Sequence, residues 1–463
     1  MKRLATHWQI LIALALATVT ALVLRSLFGD AAESSSGGKL VASALATCDF
    51  VGDLFMRGLK MIIVPLIVTA VVSGITGLKG VEGFARLGYK TIIFYLTSSL
   101  AAILVGLVLV NLIEPGLIDG KPNEAIVAAF DENKAKADPA VIAKVEVASE
   151  RQEKDFLSIF KAMLPENVME AASDNGQMLG VIVFSILFAI AVTQLPGDMG
   201  NSVRDFFEAA NEAMIIVTTW IMALAPIGVY ALILPVIYEA GLDLFKQLGK
   251  YFFTVLFGLL IHFTIILPLA LKFIGKVSPL AHLKAMRPAL LLAFSTASSS
   301  ATLPVTMRAV QDNAGVSKRV SSFTLPLGST VNMDGTALYE CVAVIFVAQV
   351  MGIDLGLGAQ FFIVVAALLT SIGVAGIPSA SLVAILLILK NSGIQNAEVA
   401  VVTLLSVDRL LDMSRTAVNV YSDTCAAVIV GRSEGEVFHF DEIASEEIIP
   451  AGNSSDDRSS QTE

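Results

Sequence analysis

The hydrophobic pattern of this chain consists of long, nearly uncharged runs: Trp8 to Leu24, Met61 to Gly77, Thr91 to Leu112, Leu179 to Leu195 and Phe252 to Leu271. Each is of order 20 residues, which as a helix is enough to cross about 30 Å of hydrocarbon. Set against their polar breaks, these runs predict six helices before about residue 275, at 8–28, 41–78, 84–114, 176–196, 204–240 and 250–275. Several exceed one crossing and are expected to tilt or kink. The first run follows Lys2 and Arg3, as a signal peptide would, but it continues to Leu27 without a small-residue cleavage site and reads as the first spanning helix.

After residue 275 the apolar runs shorten and are interrupted by Ser, Thr, Gly, Pro and Asn. Hydrocarbon cannot satisfy a broken backbone, so such interruptions belong where they are covered by protein or line a wet cavity. They come in two matching sets. Ser295 to Pro304 (STASSSATLP) is followed by a helix broken at Thr330 to Asp334 (TVNMD); Ser371 to Pro378 (SIGVAGIP) is followed by a helix carrying Ala417 to Asp423 (AVNVYSD). Each set reads as a re-entrant hairpin followed by a long helix with an Asn and an Asp, and paired discontinuous elements of this kind mark the binding site of a secondary transporter. The competing reading of each cluster alone is a small-residue helix-packing face.

Composition agrees with the pattern. The 463 residues are 55% hydrophobic and 16% charged, with mean hydropathy +0.76, too little polar surface for a water-soluble globule of this size. The chain is therefore expected to be an all-α polytopic membrane protein. Cys48, Cys341 and Cys425 sit singly in apolar segments, with no metal or disulfide spacing. Of the net charge of −10, most lies in a tail: from Arg432 to Glu463 nine acids face two arginines, the composition of a disordered segment. Gly120 to Asp155 is charged, Ala-rich and nearly balanced, and reads as a loop outside the membrane. Lys2, Arg3, Lys79, Arg86, Lys90, Arg204, Lys276, Lys284, Arg287, Arg308, Lys318 and Arg319 fall on one side if both termini are cytoplasmic.

The chemistry concentrates in VDRLLDMSRTAVNVYSD, which starts at Val407. Asp408, Asp412, Arg415, Asn419 and Asp423 follow one another at spacings of four, three, four and four, within a helical stripe roughly 80° wide and about 22 Å long. Charges at membrane depth cost on the order of 3 kcal/mol each and cannot face lipid. A self-contained Asp412–Arg415 pair is the bland alternative. Asp334 and Glu340 bring the carboxylates to five, against only Arg409 and Arg415. The imbalance calls for protonation or for bound cations, the physical basis of ion coupling. Arg415 offers a planar fork for an anionic substrate group, and Asp412, one turn away, an acceptor for an ammonium. Nucleophilic catalysis at the serine cluster is disfavoured, because His7, His262, His282 and His439 all lie far from it in sequence.

The segments SSSATLP, NMDGTALYE, AGIP and DMSRTAVNV, in this order, closely resemble the signatures of the glutamate transporter family, the dicarboxylate/amino acid:cation symporters, and identify the chain as similar to prokaryotic homologues of the excitatory amino acid transporters. The resemblance implies a homotrimer in the plasma membrane with eight spanning helices per protomer, two re-entrant hairpins and inverted repeats. Scaffold helices would occupy 1–83 and 156–249. The elevator-like transport part would comprise 84–115 and 250–432, with an extracellular loop at 116–155 and an acidic disordered cytoplasmic tail at 433–463. It implies a symporter and not an enzyme, with L-glutamate or L-aspartate as substrate, Na+ and H+ as co-transported ions, K+ counter-transport as an open addition, membrane lipid as surroundings, and neither organic cofactor nor nucleic acid.

By motif position, the resemblance gives substrate contacts at Ser299, Thr336, Gly376, Asp412, Arg415, Thr416 and Asn419, with Asp412 on the amino group and Arg415 on the side-chain carboxylate. Sodium sites would use Gly328, Asn332, Asn419 and Asp423; Thr330, Ser371, Ile372 and Val374; and Tyr95, Ser98, Ser99, Asn332 and Asp334. Glu340 stands where proton-coupled members have Glu, and it is expected to alternate between a protonated and an Arg415-paired form. The family's additional arginine is absent, its two usual places being Ala297 and Met413; Arg409, one turn before Met413, is the candidate substitute. A C4-dicarboxylate or neutral amino acid symporter, and a substrate-gated anion channel, are the alternatives.

Overall fold

The computed structural model describes residues 6–28, 36–76, 81–124, 126–127, 163–173, 178–240, 244–373, 381–392 and 397–439. Apart from a two-residue hairpin, Leu117–Ile118 with Lys121–Pro122, the described elements are helical. They are α1 (Thr6–Phe28), α2 (Ser36–Thr76), α3 (Val81–Ile113), α4 (Val168–Ser173), α5 (Met178–Thr193), α6 (Gly197–Met222), α7 (Ala225–Ala240) and α8 (Leu244–Ile261). The last continues through π turns to Gly275. Then follow α9 (Pro279–Thr296), α10 (Ser299–Arg308), α11 (Lys318–Val331), α12 (Asp334–Val350), α13 (Leu357–Gly373), α14 (Ser381–Asn391) and α15 (Ala397–Ser433).

Among the described residues, five helices are long and apolar enough to span a membrane: α1, α2, α3, α8 with its extension, and α11–α12 taken together; the pair α6–α7 makes a sixth, bent by 56°. The sequence pattern predicts one helix at 204–240. It begins earlier, at Gly197, and breaks at Ala223–Leu224, just before Pro226 in the first turn of α7. Pro226 has no N–H to give the carbonyl of Met222, four residues back, and is well placed in the first turn of a new helix, so the break falls just ahead of it. The first apolar run is an integral element: α1 lies along α7, and Arg25 donates to the Tyr238 carbonyl. Its Leu11, Leu16, Val19 and Leu27 are exposed, as a lipid-facing stripe requires.

The first hairpin is present, with its tip at Ala297–Ser298, inside the serine cluster and ahead of Pro304. Ala297 takes a left-handed conformation, φ +50°, to close α9, and the Ser298 hydroxyl caps α10 by accepting from the Ala301 amide. Thr302 Oγ1 donates to the Ser298 carbonyl at 2.8 Å, and Thr296 and Thr302 hydroxyls lie 3.1 Å apart. Part of the cluster therefore satisfies the backbone of a buried turn. The second hairpin is described only in its arms, α13 and α14; residues 374–380 lie outside the described residues, as do most of the charged loop and the tail from 440.

The α11–α12 span breaks at Asn332 and Met333, whose φ/ψ of −98°/77° and −109°/60° are not helical. The amide of Gly335, orphaned at the new N-terminus, donates to Asn419 Oδ1 of α15 at 2.7 Å. Here the packing of α15 satisfies the break that positions the site. The carboxylate of Asp334 sits in the first turn of α12, where the helix dipole favours negative charge.

Beyond α15 the chain stays packed as far as His439. Glu434, its side chain 1% exposed, accepts from Arg86 (3.0 and 2.8 Å), Lys90 (2.7 Å) and Arg319 (3.3 Å). Burial opposes its ionisation, but the hydrogen bonds from Arg86 and Lys90 outweigh that and hold its carboxyl below the usual range. Glu436 accepts from the Ser317 amide at 3.1 Å and from its hydroxyl, and Arg432 stacks on buried Phe438. This clasp joins the ends of α3, α11 and α15.

Candidate functional site

The centre of the site is α15, which packs against α3, α8, α9, α11, α12 and α14. The helical spacing predicted for Asp408, Asp412, Arg415, Asn419 and Asp423 is realised, and all five side chains are buried.

Arg415 is fully buried. Its Nη2 lies 3.0 Å from Asp408 Oδ1 and 2.9 Å from Asp412 Oδ1, Nη1 donates to Ser381 Oγ on α14 at 2.7 Å, and the guanidinium stacks on the Tyr339 ring at 3.8 Å. Its Nε and the second oxygen of Asp408 have no partner among the described residues. The guanidinium is thus held by two carboxylates, a hydroxyl and an aromatic face, with its Nε–H uncommitted among the described residues. Thr416 donates to the Asp412 carbonyl, and Asn419 Nδ2 donates to Thr336 Oγ1 at 3.1 Å. Ser299 is buried at the tip of the first hairpin. Gly376 lies outside the described residues.

Two of the three expected cation groups come together. In the first, Asn332 Nδ2 donates to Asp423 Oδ1 at 2.9 Å, and Gly328 lies so close that a β-carbon there would stand 2.5 Å from the same oxygen. Asn419 faces Gly335 and Thr336 instead of this pair. In the third, Asp334 accepts from Ser98 and from Ser99 (2.7 Å) of α3, while Tyr95 Oη donates to the Thr324 carbonyl at 2.6 Å. Asn332 links the two groups through Ser422 Oγ, 3.0 Å away, and its own Oδ1 is buried without a partner among the described residues. Of the second group, Thr330 and Ser371 donate to carbonyls of their own helices, Leu327 and Leu368. The side chain of Ile372 and the whole of Val374 lie outside the described residues. Hydroxyls, amides, carbonyls and carboxylates are the oxygen donors a hard cation prefers.

Glu340, fully buried on α12, accepts from Thr370 Oγ1 at 2.7 Å with Oε2, and its Oε1 has no partner among the described residues. It is not paired with Arg415, because Asp408 and Asp412 on that arginine's own helix already hold it. Of its two expected forms, this structure has the one detached from the guanidinium. Arg409 is half-buried and pairs with no described acid, Met413 is core, and Ala297 forms the hairpin tip.

Sequence reasoning missed Ser381, Tyr339, Thr370, Ser422 and His262. Four carry hydroxyls that look unremarkable in an apolar helix. His262 had a signal: an ionisable side chain inside an apolar run is a functional candidate wherever it lies in sequence.

Comparison with known proteins settles the class, for the model of the sodium:dicarboxylate symporter family matches residues 6–433. The chain belongs to that family. It is similar to mouse excitatory amino acid transporter 2, 37% identical over an alignment of 417 residues that covers 82% of this chain and 72% of the relative. Human excitatory amino acid transporter 3 is 35% identical over 415 residues, 82% of this chain and 78% of that one. The proton/sodium-glutamate symport protein of Geobacillus stearothermophilus is 32% identical over 437 residues, 94% and 96% of the two chains. The protein is thus a sodium-coupled membrane symporter and not an enzyme.

Proposed function

We propose that this symporter carries L-glutamate or L-aspartate inward with Na+ and H+. One observation supports this above the others: around α15 five buried carboxylates meet one buried guanidinium, and Asp334, Asp423 and Glu340 contact no lysine or arginine among the described residues. Uncompensated buried charge of this kind is costly, and cations bound with the substrate relieve it. Na+ fits the oxygen donors at Asp423 with Asn332 and Gly328, and at Asp334 with Ser98 and Ser99. The groups around Thr330 and Ser371 would assemble only as the second hairpin closes over substrate. H+ belongs to Glu340, and K+ exchange would use the same carboxylate after substrate leaves.

In the substrate-bound state Arg415 holds the side-chain carboxylate and Asp412 the ammonium, with Ser299, Thr336, Gly376, Thr416 and Asn419 completing the pocket. An acidic amino acid takes Arg415 from Asp412 and brings a cation to Asp412 in exchange; a dicarboxylate brings none. This exchange favours the amino acid over a C4-dicarboxylate, the reading that the family's description suggests. The movement is elevator-like, 84–115 and 250–432 sliding against 1–83 and 156–249, in a homotrimer of protomers with eight spans and two re-entrant hairpins and with both termini cytoplasmic.

Uptake of labelled aspartate and glutamate into proteoliposomes under an inward sodium gradient tests the reading. Sodium-driven accumulation is expected. Its absence, or competition by succinate as effective as by aspartate, overturns the assignment, and large anion currents without stoichiometric uptake favour a channel.

A further inference from the structure

His262 is fully buried where α8 gives way to a π turn, His262–Ile266. Its Nε2 lies 2.9 Å from Asp334 Oδ2, and its Nδ1 has no partner among the described residues. Oδ2 also accepts from Ser98 and from Ser422 (2.6 Å), and the other oxygen from Ser99. Asp334 is therefore held by donors from three other helices, α3, α8 and α15. Facing an acceptor, Nε2 is the nitrogen that carries the hydrogen.

A leucine would fill this buried place without leaving a ring nitrogen unsatisfied, so the polar cost of the histidine is offset only by what it does to Asp334. The π turn, closed by the Leu267 amide on the His262 carbonyl, is the kind of helix widening that collects at functional positions. A lysine or arginine would neutralise Asp334 and compete with an ion for it. The imidazole donates one directed hydrogen bond from Nε2.

We propose that His262 is a positioning residue for sodium: its Nε2–H fixes the Asp334 carboxylate in the orientation in which Asp334, Ser98 and Ser99 receive the ion. The role rests on the reading of Asp334 as a sodium ligand, with His262 outside the coordination sphere, one bond behind it, as residues that orient metal-binding carboxylates are.

The test compares wild type, H262L and H262Q in proteoliposomes and as purified protein. H262L is expected to raise the sodium concentration for half-maximal uptake by about tenfold or more, with the maximal rate at saturating sodium kept within about twofold. H262Q, whose amide can donate to Asp334, recovers much of the sodium sensitivity. Stabilisation by NaCl in thermal unfolding of the purified protein shifts to the same higher concentrations. Should H262L fail to fold, H262N, too short to reach the carboxylate, shows the same rise. An unchanged sodium half-saturation in H262L or H262N, or a lowered maximal rate at unchanged sodium dependence, overturns the role of His262. Sodium-independent uptake and stability in the wild type would instead overturn the sodium reading itself.

Discussion

Gly328 is the position where packing and the proposed ion binding are most directly linked. A β-carbon there would stand 2.5 Å from Asp423 Oδ1, 2.8 Å from its Cγ and 2.8 Å from Tyr95 Oη, whereas uncrowded carbon contacts lie at about 3.5–4.0 Å. In Gly328→Ala one of these groups must move by roughly 1 Å. Neither is the far end of a flexible chain: Tyr95 Oη is tied to the Thr324 carbonyl at 2.6 Å and Asp423 to Asn332 at 2.9 Å. Displacing the carboxylate from Asn332 costs about 1.5–3 kcal/mol, the worth of a hydrogen bond to a charged group. Expressed in binding, that is roughly a ten- to hundredfold rise in the sodium needed for half-maximal uptake.

Overpacking by itself also lowers stability, by about 1–3 kcal/mol, so the assay needs a crowded control. Gly116→Ala supplies one, since its β-carbon would stand 2.6 Å from Gln349 Cβ and 3.0 Å from the Phe346 carbonyl, fifteen residues or about 22 Å along α12 from Asp334. Both variants should melt earlier, and only Gly328→Ala should shift the sodium curve. Equal sodium curves in the two variants and wild type would refute the placement of a cation beside Asp423.

Three further outcomes follow. Glu340→Gln should keep the Thr370 hydrogen bond and sodium-driven uptake while removing the dependence of uptake on external pH, measured at fixed sodium gradient; a pH profile like that of wild type refutes proton coupling at this residue. Asp412→Asn should weaken competition by aspartate by about tenfold or more, the loss of one charge-assisted contact, with succinate competition changed less; parallel loss of both would show that Asp412 does not read the ammonium. Glu434→Gln should lower stability by roughly 1 kcal/mol at neutral pH, a value kept small because Arg86, Lys90 and Arg319 are partly exposed. Because the folded-state pKa of Glu434 is depressed, its contribution is present above the unfolded value of about 4.3 and fades as pH falls through the folded one, so wild-type and variant melting temperatures should converge in acid.

What the sequence disclosed was whatever repeats along one helix. Asp408 to Asp423 share a face because a helix places them there, and Asn332–Met333 announced a break because Asn and Asp interrupt an apolar run. The bend at Ala223–Leu224 was also legible, through Pro226, but hydropathy averaged over it. The rest depends on contacts between elements distant in sequence. Ser381 reaches Arg415 across the gap between α14 and α15, His262 meets a carboxylate 72 residues away, and Glu434 opened what looked like an acidic tail while its three cations were scattered over α3 and α11. Charge counts found the imbalance of five carboxylates but set Arg409 beside Arg415 against it; among the described residues it is Arg415 that serves two aspartates.

That double service has a mechanistic consequence. With Arg415 bonded to both Asp408 and Asp412, a substrate carboxylate in the proposed binding mode competes for a guanidinium already paired with two acids, and its net gain is the difference between two similar hydrogen-bonded ion pairs. Tight binding then has to come from elsewhere: from the ammonium that replaces Arg415 at Asp412, and from cations that lower the cost of the remaining buried carboxylates. Each species improves the site for the others by the same factor that it gains from them. In this arrangement a site filled by substrate alone, or by sodium alone, leaves buried charge uncompensated, and the partly loaded carrier is the unfavourable state. Coupling in the proposed mechanism therefore originates in the excess of acids around α15, the feature that makes the site costly when it is empty.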